Sequence, residues 1–481
     1  MKSRTTAACW TGAVFFLGVL VAVSAATAAT PSHTGYPRLM QGPMVGAVEP
    51  TEVRIWIRTS GEFPVSIQYD TTPEFGSYRE TEPVTALKAN DYTEVITITG
   101  LEPATEYFYR ITTDGIPDRY LKKLKPLRFK TAPKAGADAD LRIAFGSGSK
   151  WQDDRVQPIW SWVEHYNPDI VFWIGDNIYG DALDPDILRE EYRRQREITA
   201  LQPILHNISQ LALWDDHDFG LNNHDRTNPV KEGAYKAFRE YWANPSFGLS
   251  DLKGIFFKYT WGKVDFFFLD GRWYRDPDED PNTPDKTMLG AAQFEWLQKE
   301  LDSSSAVFKV LVSGGGWSKA KGEFGDSWAG FLHERNRLFD FIRDRDITGV
   351  VLLSGDSHIG ELNVIPWSEN GGYDLYDMVS SPFAQVTPDS WLERRPERRI
   401  WPVYFQGSNF GVVEFFMGDD PRLVFQLIDI HGRRVRGPFE LHASELVNGV
   451  TSWPSKVTNL PRQRQEHYNG GKGYYEIPVE N

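Results

Sequence analysis

Two patterns of apolar and polar positions divide the chain. From residue 35 to 133 short runs alternate, as in VRIWIR (53–58), VSIQYD (65–70), TEVITI (93–98) and TEYFYRI (105–111), with turn residues between them. A period of two sends successive side chains to opposite faces of a strand, so this stretch predicts an all-β unit. The small, polar segment APKAGADA (132–139) ends it. Continuous apolar runs then alternate with helical periodicity at 155–166, 186–197, 231–243, 291–303 and 332–344. That alternation predicts an α/β unit over 138–447, followed by a polar, loosely ordered tail over 448–481.

The six apolar runs carry the information. They are LRIAFGSGSK (141–150), DIVFWIGDNIYGD (169–181), LALWDDHD (211–218), VDFFFLDGR (264–272), FKVLVSGGG (308–316) and GVVLLSGDSH (349–358). Unbroken apolar runs mark strands buried on both faces. Each run stops in Gly, Asp, His or Arg, and open α/β sheets bind ligands beyond the carboxyl ends of their strands. Six polar strand ends are better explained by one shared site than by six separate turns. In the first unit, GLEPATEYFYRI resembles the end of a fibronectin type III or immunoglobulin-like sandwich, with Tyr107 or Tyr109 at the corner.

The first 29 residues read as an export signal. Lys2 and Arg4 precede the apolar run WTGAVFFLGVLVAV (10–23), and SAATAA (24–29) offers small residues for cleavage. The run is shorter than the roughly 20 residues a spanning helix needs, so no transmembrane segment is expected after cleavage. The expected location is periplasmic or secreted. The one cysteine, Cys9, precedes the apolar run, so the mature chain is expected to lack disulfides and thiolate chemistry. A net charge of −14 argues against nonspecific binding to nucleic acid or anionic membrane.

Asp176, Asp216, Asp356 and His358 stand at these strand ends, with Tyr179 adding a phenol and Asn222 an amide oxygen. Crowded carboxylates raise one another's pKa and resist ionisation. Multivalent cations remove that penalty, so the acidic residues read as a metal cage. Oxygen ligands with one imidazole and no sulfur favour Ca²⁺, Mn²⁺, Mg²⁺ or iron, with Zn²⁺ open through His358. A site of two or more metals suits phosphoester hydrolysis, one metal activating a water and all of them clamping phosphoryl oxygens. Arg272 has two readings, a salt bridge to Asp270 or a phosphate clamp. His333, Glu334 and Arg335 read as helix-start stabilisers rather than chemistry.

GDNIYGD, WDDHDFGLNN, FLDGRWYR and SGDSHIGEL, in this order, resemble the PhoD-like alkaline phosphatases of the calcineurin-like metallophosphoesterase superfamily. The resemblance covers about residues 40 to 430. It implies a four-layer α/β/β/α catalytic domain behind the β-sandwich. It implies hydrolysis of small-molecule or lipid phosphoesters, a phosphomonoesterase at alkaline pH first and a phosphodiesterase or phospholipase-D-like enzyme as the alternative. By the resemblance Asp176 bridges metals, Asp216, Asn222, Asp356 and His358 are ligands, and Tyr179 matches a tyrosine that binds ferric iron. His217 would touch the substrate.

One departure matters. The family usually carries a metal-ligand cysteine after the first catalytic strand, where this chain reads Phe145-Gly146-Ser147-Gly148-Ser149. Glycine has no side chain to coordinate with, so Ca²⁺ leads the expected metals and iron loses a ligand. A second departure puts Ser357 where many relatives carry arginine. Two competing classes follow: a degenerate enzyme kept as a surface-binding protein, and an exported nuclease, which lacks a visible basic stripe.

Overall fold

The computed structural model describes residues 36–119, 121, 125–387 and 394–457. The expected signal segment and residues 458–481 of the expected tail lie outside the described residues.

The N-terminal strands form two sheets. One holds Leu39–Val48, Glu52–Thr59 and Thr93–Thr99, and the other is built on Pro64–Asp70, Glu106–Thr113 and Leu127–Lys130. The alternation has its expected cause: Tyr107, Tyr109 and Ile111 are buried, while Glu106, Phe108 and Arg110 are not. Of the two corner candidates, Tyr107 holds the position, its hydroxyl accepting the Glu102 N–H at 2.9 Å. Tyr109 instead donates to the His206 carbonyl at 2.6 Å, in the α/β part. The strand Leu39–Val48 has no clean period of two because Gly42, Pro43 and Gly46 interrupt it. It also docks the sandwich: Ser209 Oγ donates to the Gly46 carbonyl at 2.7 Å, and the Ala47 N–H to that of Ala243 at 2.8 Å.

The six apolar runs become six strands in two sheets. Leu141–Gly146, Ile170–Ile174 and Ser209–Leu213 lie parallel in a six-stranded sheet. Val264–Phe268, Phe308–Ser313 and Val350–Ser354 lie parallel in a seven-stranded sheet. The six-stranded sheet is extended by the antiparallel strands Asn409–Phe416, Arg422–Asp429 and Arg434–His442. Strand Ile170–Ile174 shows why its run is unbroken. Phe172 meets Phe266 and Phe268 of the other sheet, each at 4.9 Å between ring centroids. Its neighbour Trp173 points the other way and stacks on Trp160 of helix Ile159–Tyr166 at 4.7 Å. Both faces are buried, one by a sheet and one by a helix, and the layers run α/β/β/α.

The helices fall where the periodicity places them, with one correction. The first begins at Ile159 rather than 155, because Pro158 disfavours the helical conformation in Gln157, which adopts φ +48°. The expected tail is ordered at its start: the N–H groups of Ser452 and Trp453 donate to Asp374 at 2.7 and 2.9 Å, and Asn448 to the Arg343 carbonyl. Asp374 is buried and accepts these bonds, which polarity alone does not reveal. Among the described residues no helix is long and apolar enough to cross a membrane.

Candidate metal centre

The carboxyl ends of the parallel strands from both sheets meet at one place. The approach is close enough to require glycine. A Cβ on Gly175, at φ +103°, would lie 2.6 Å from Asp215 Cβ. A Cβ on Gly355 would lie 2.5 Å from Ser147 Oγ, across the seam between the sheets. Each glycine leads directly into a carboxylate, Asp176 and Asp356.

Asp176, Asp216 and His217 each offer a ligand atom within 4.8 Å of the others. Asp176 Oδ1 is buried and has no hydrogen-bond partner. Asp216 opens the short helix Asp216–Phe219 and accepts the Asn223 N–H at 2.7 Å. His217 Nδ1 donates to Asp181 Oδ1 at 2.5 Å, which turns Nε2 toward Asp216 Oδ2 at 3.9 Å. The Tyr179 ring lies over the imidazole with centroids 4.2 Å apart. Its hydroxyl meets His358 Nε2 at 2.9 Å and Asp176 Oδ2 at 3.4 Å. Asp356 is fixed through its backbone, which donates to Ser147 Oγ at 2.8 Å. Asp176, Asp181, Asp356 and His358 all adopt positive φ, between 44° and 58°. Each such residue costs on the order of 1 kcal/mol, and non-glycine strain of this kind concentrates at functional sites.

Burial sets the electrostatics. It pushes the Asp176 carboxyl well above its ordinary range, and Asp216, Asp215 and Asp218 push the same way against the pull of His217. It lifts Asp215 to about 6, opposed by Arg272. Asp216 stays below its ordinary value because Arg272 and His217 outweigh its burial. Burial would hold His217 neutral, but Asp176, Asp216 and Asp181 carry it up to about 10. The trio therefore concentrates negative charge that its own protein cations only partly answer. Oxygen donors, one orphaned and all enclosed, fit a hard divalent cation.

Two expected residues lie elsewhere than the sequence suggests. Asn222 is exposed, and its side-chain amide donates to Asn223 Oδ1 at 2.8 Å. The backbone of the next residue, not the Asn222 side chain, reaches Asp216. Arg272 is fully buried, and its ion pairs are with Asp215 and, at 2.6 Å, with Asp326. The salt-bridge reading had the wrong partner: Asp270 accepts the Arg272 backbone N–H at 2.8 Å. Glu334 and Arg335 are structural, but across the fold rather than at their own helix start. Glu334 binds the Thr287 hydroxyl at 3.0 Å, and Arg335 binds the Trp317 carbonyl at 2.7 Å and Glu397 at 2.8 Å.

Three site residues escape the motif reading. Asp181 was in view as the last letter of GDNIYGD. Asp326 and Lys321 come from the loop after strand Phe308–Ser313, which has no periodicity to mark them. Lys321 is largely buried, its ammonium against Asp356 and donating to the Asp326 carbonyl at 3.0 Å. Burial pulls this ammonium down to about 8, against the opposite pull of Asp326.

The architecture is that of known phosphatases. The solved structure of PhoD superposes with a TM-score of 0.70 at 19% identity, over 92% of this chain and 99% of that one. A purple acid phosphatase from yellow lupin (Lupinus luteus) seeds gives 0.56 at 14% identity, over 88% and 76%. In sequence, alkaline phosphatase D of Bacillus subtilis (strain 168) is 27% identical over 338 residues, an alignment spanning 59% of this chain and 55% of that protein. The PhoD-like phosphatase family matches residues 143–387, and the N-terminal domain of PhoD-like phosphatases matches 24–133. The chain belongs to the PhoD-like phosphatase family.

Proposed function

We propose that the protein is an exported, metal-dependent phosphoester hydrolase, and specifically a phosphomonoesterase. One observation carries the reading: two buried carboxylates and an imidazole converge within 4.8 Å at the strand ends, and Asp176 Oδ1 is left without a hydrogen-bond partner. Asp176 and Asp216 would hold the metal. Calcium is the first candidate, since both supply oxygen. A cation held there would supply Lewis-acid chemistry, polarising the phosphoryl group and lowering the pKa of a water.

The remaining steps belong to the chain. Asp181 fixes the proton on His217 Nδ1, so Nε2 is the atom that faces the centre. A proton held at Nε2 passes to the leaving alkoxide oxygen. Tyr179 braces the imidazole from above and ties His358 to the same wall. Arg272 positions Asp215, Asp216 and Asp326 rather than gripping phosphate, because those carboxylates already surround its guanidinium. Export is supported by the charged start and apolar run of residues 2–23.

The test is hydrolysis by protein stripped with chelator and restored with calcium, manganese, zinc or iron in turn. p-Nitrophenyl phosphate and its bis ester are compared from neutral to alkaline pH, beside His217→Ala. Restored monoester hydrolysis supports the proposal, and its loss in the variant on an alkyl phosphate monoester assigns the proton to His217. Faster turnover of the bis ester makes the protein a diesterase. No turnover of either ester with any metal refutes the hydrolase.

A further inference from the structure

Five carboxylates are buried where the two sheets meet: Asp176, Asp215, Asp216, Asp326 and Asp356. Arginine answers two of them at close range, since Arg272 pairs with Asp215 and Asp326, and Arg275 meets Asp326 at 2.7 Å; Arg272 reaches Asp216 only at 3.6 Å. Asp176 and Asp216 remain for a metal. Asp356 is different, because its carboxylate is taken by the Lys321 ammonium, both side chains being about 10% exposed (10% and 11%).

Lys321 is delivered to that position by its own loop. It ends the turn Lys319–Lys321, and Gly322 at φ +80° reverses the chain behind it. The ammonium is held from the other side by the Asp326 carbonyl at 3.0 Å. Two groups beside Asp356 have partners within the protein as well. His358 Nε2 meets the Tyr179 hydroxyl at 2.9 Å, and Ser147 Oγ accepts the Asp356 N–H at 2.8 Å. Gly148 adds no donor to this wall. It sits at φ +69°, where a Cβ would come within 3.1 Å of Pro382.

We infer that Lys321 takes the place of a metal ion at Asp356, so that the centre holds cations at Asp176 and Asp216 but none on Asp356. This rests on the metal-dependent reading above. An ammonium contributes one charge and three donors, enough to balance a single buried carboxylate. A divalent ion entering at Asp356 would have to displace the ammonium, because two cations repel strongly at that separation. The same device accounts for Gly148. With a lysine cation beside Asp356, the wall needs no ligand from that position.

The test is metal content. Wild-type protein, Lys321→Met, Asp356→Asn and the double variant are stripped, reloaded by dialysis against Mn²⁺, freed of excess and measured by atomic emission. Thermal unfolding checks that each is folded. The expected result is that Asp356→Asn keeps the wild-type content, Lys321→Met gains one equivalent, and the double variant returns to the wild-type value. Loss of an equivalent in Asp356→Asn would overturn the inference. So would a folded Lys321→Met with unchanged content. If Lys321→Met does not fold, the Asp356→Asn content decides alone. Ester hydrolysis is measured on the same loaded wild type. Its absence would sink the hydrolase reading and leave the metal comparison standing.

Discussion

Replacing Asp181 isolates the proton-handling role proposed for His217. The Asp181 side chain is 46% exposed and the His217 side chain 14%, with Nδ1 and Oδ1 2.5 Å apart. Asparagine keeps an acceptor for Nδ1–H but removes its charge, and charge-assisted hydrogen bonds are about twice as strong as neutral ones. Alanine removes the acceptor altogether and frees the ring to rotate. General acid catalysis is worth about 10²- to 10⁴-fold. The Tyr179 ring, 4.2 Å away, still braces the imidazole, so the full range is not at stake. The expected fall in kcat on an alkyl phosphate monoester is roughly 10-fold for Asp181→Asn, equivalent to about 1.4 kcal/mol of barrier, and roughly 100-fold for Asp181→Ala. p-Nitrophenyl phosphate expels a stable phenolate and needs little proton donation, so its loss should stay under about 3-fold. The assay is steady-state kcat on both substrates, with thermal unfolding to confirm the fold. Equal losses on the two esters would refute the reasoning, as would an alanine variant with wild-type kcat on the alkyl ester.

Further outcomes follow from other parts of the structure. Arg272→Ala leaves Asp215 and Asp326 without their main counter-charge, so it should cost about 3–5 kcal/mol in denaturant unfolding; a rise in KM with unchanged stability would restore the phosphate-clamp role instead. Gly148→Cys places a Cβ at φ +69° and 3.1 Å from Pro382, and should cost about 1–2 kcal/mol in metal-free protein. A metal-free variant as stable as wild type would contradict that strain. His206 is buried and its pKa is pulled down to about 4 from 6.5. The unfolded chain therefore binds this proton first, and stability present above pH ~6.5 is lost as pH falls toward ~4, by up to ~3 kcal/mol. His206→Gln should flatten this segment of the stability–pH curve. A variant with the same acid slope as wild type would show that another group is responsible.

How much of the site the sequence shows depends on whether a residue lies on a strand end. The sequence points to Asp176, Asp216 and Asp356 because each terminates an unbroken apolar run, and such runs place their last residue at the edge of a buried sheet. His217 and Tyr179 came with them as neighbours in the same motifs. The Asn222 side chain stands away from Asp216 for a local reason. Three residues past a four-residue helix, a side chain points wherever the turn sends it, and here Asn223 supplies the contact to Asp216 through its backbone. Arg272 was assigned a partner two residues away along the chain. Its partners, Asp215 and Asp326, are 57 and 54 residues away.

The sequence by itself determined the two-part architecture, the six central strands and the acidic character of their ends. These follow from side-chain periodicity and burial, which act over a few residues at a time. Only the tertiary structure decided which carboxylates share a cation and which take a protein charge. That choice depends on how closely two sheets approach at Gly355, and on a loop that carries Lys321 to Asp356 across 35 residues of chain. Coulomb energies between buried groups change steeply with distances of a few ångströms, and such distances between remote segments are set by packing rather than by spacing along the chain.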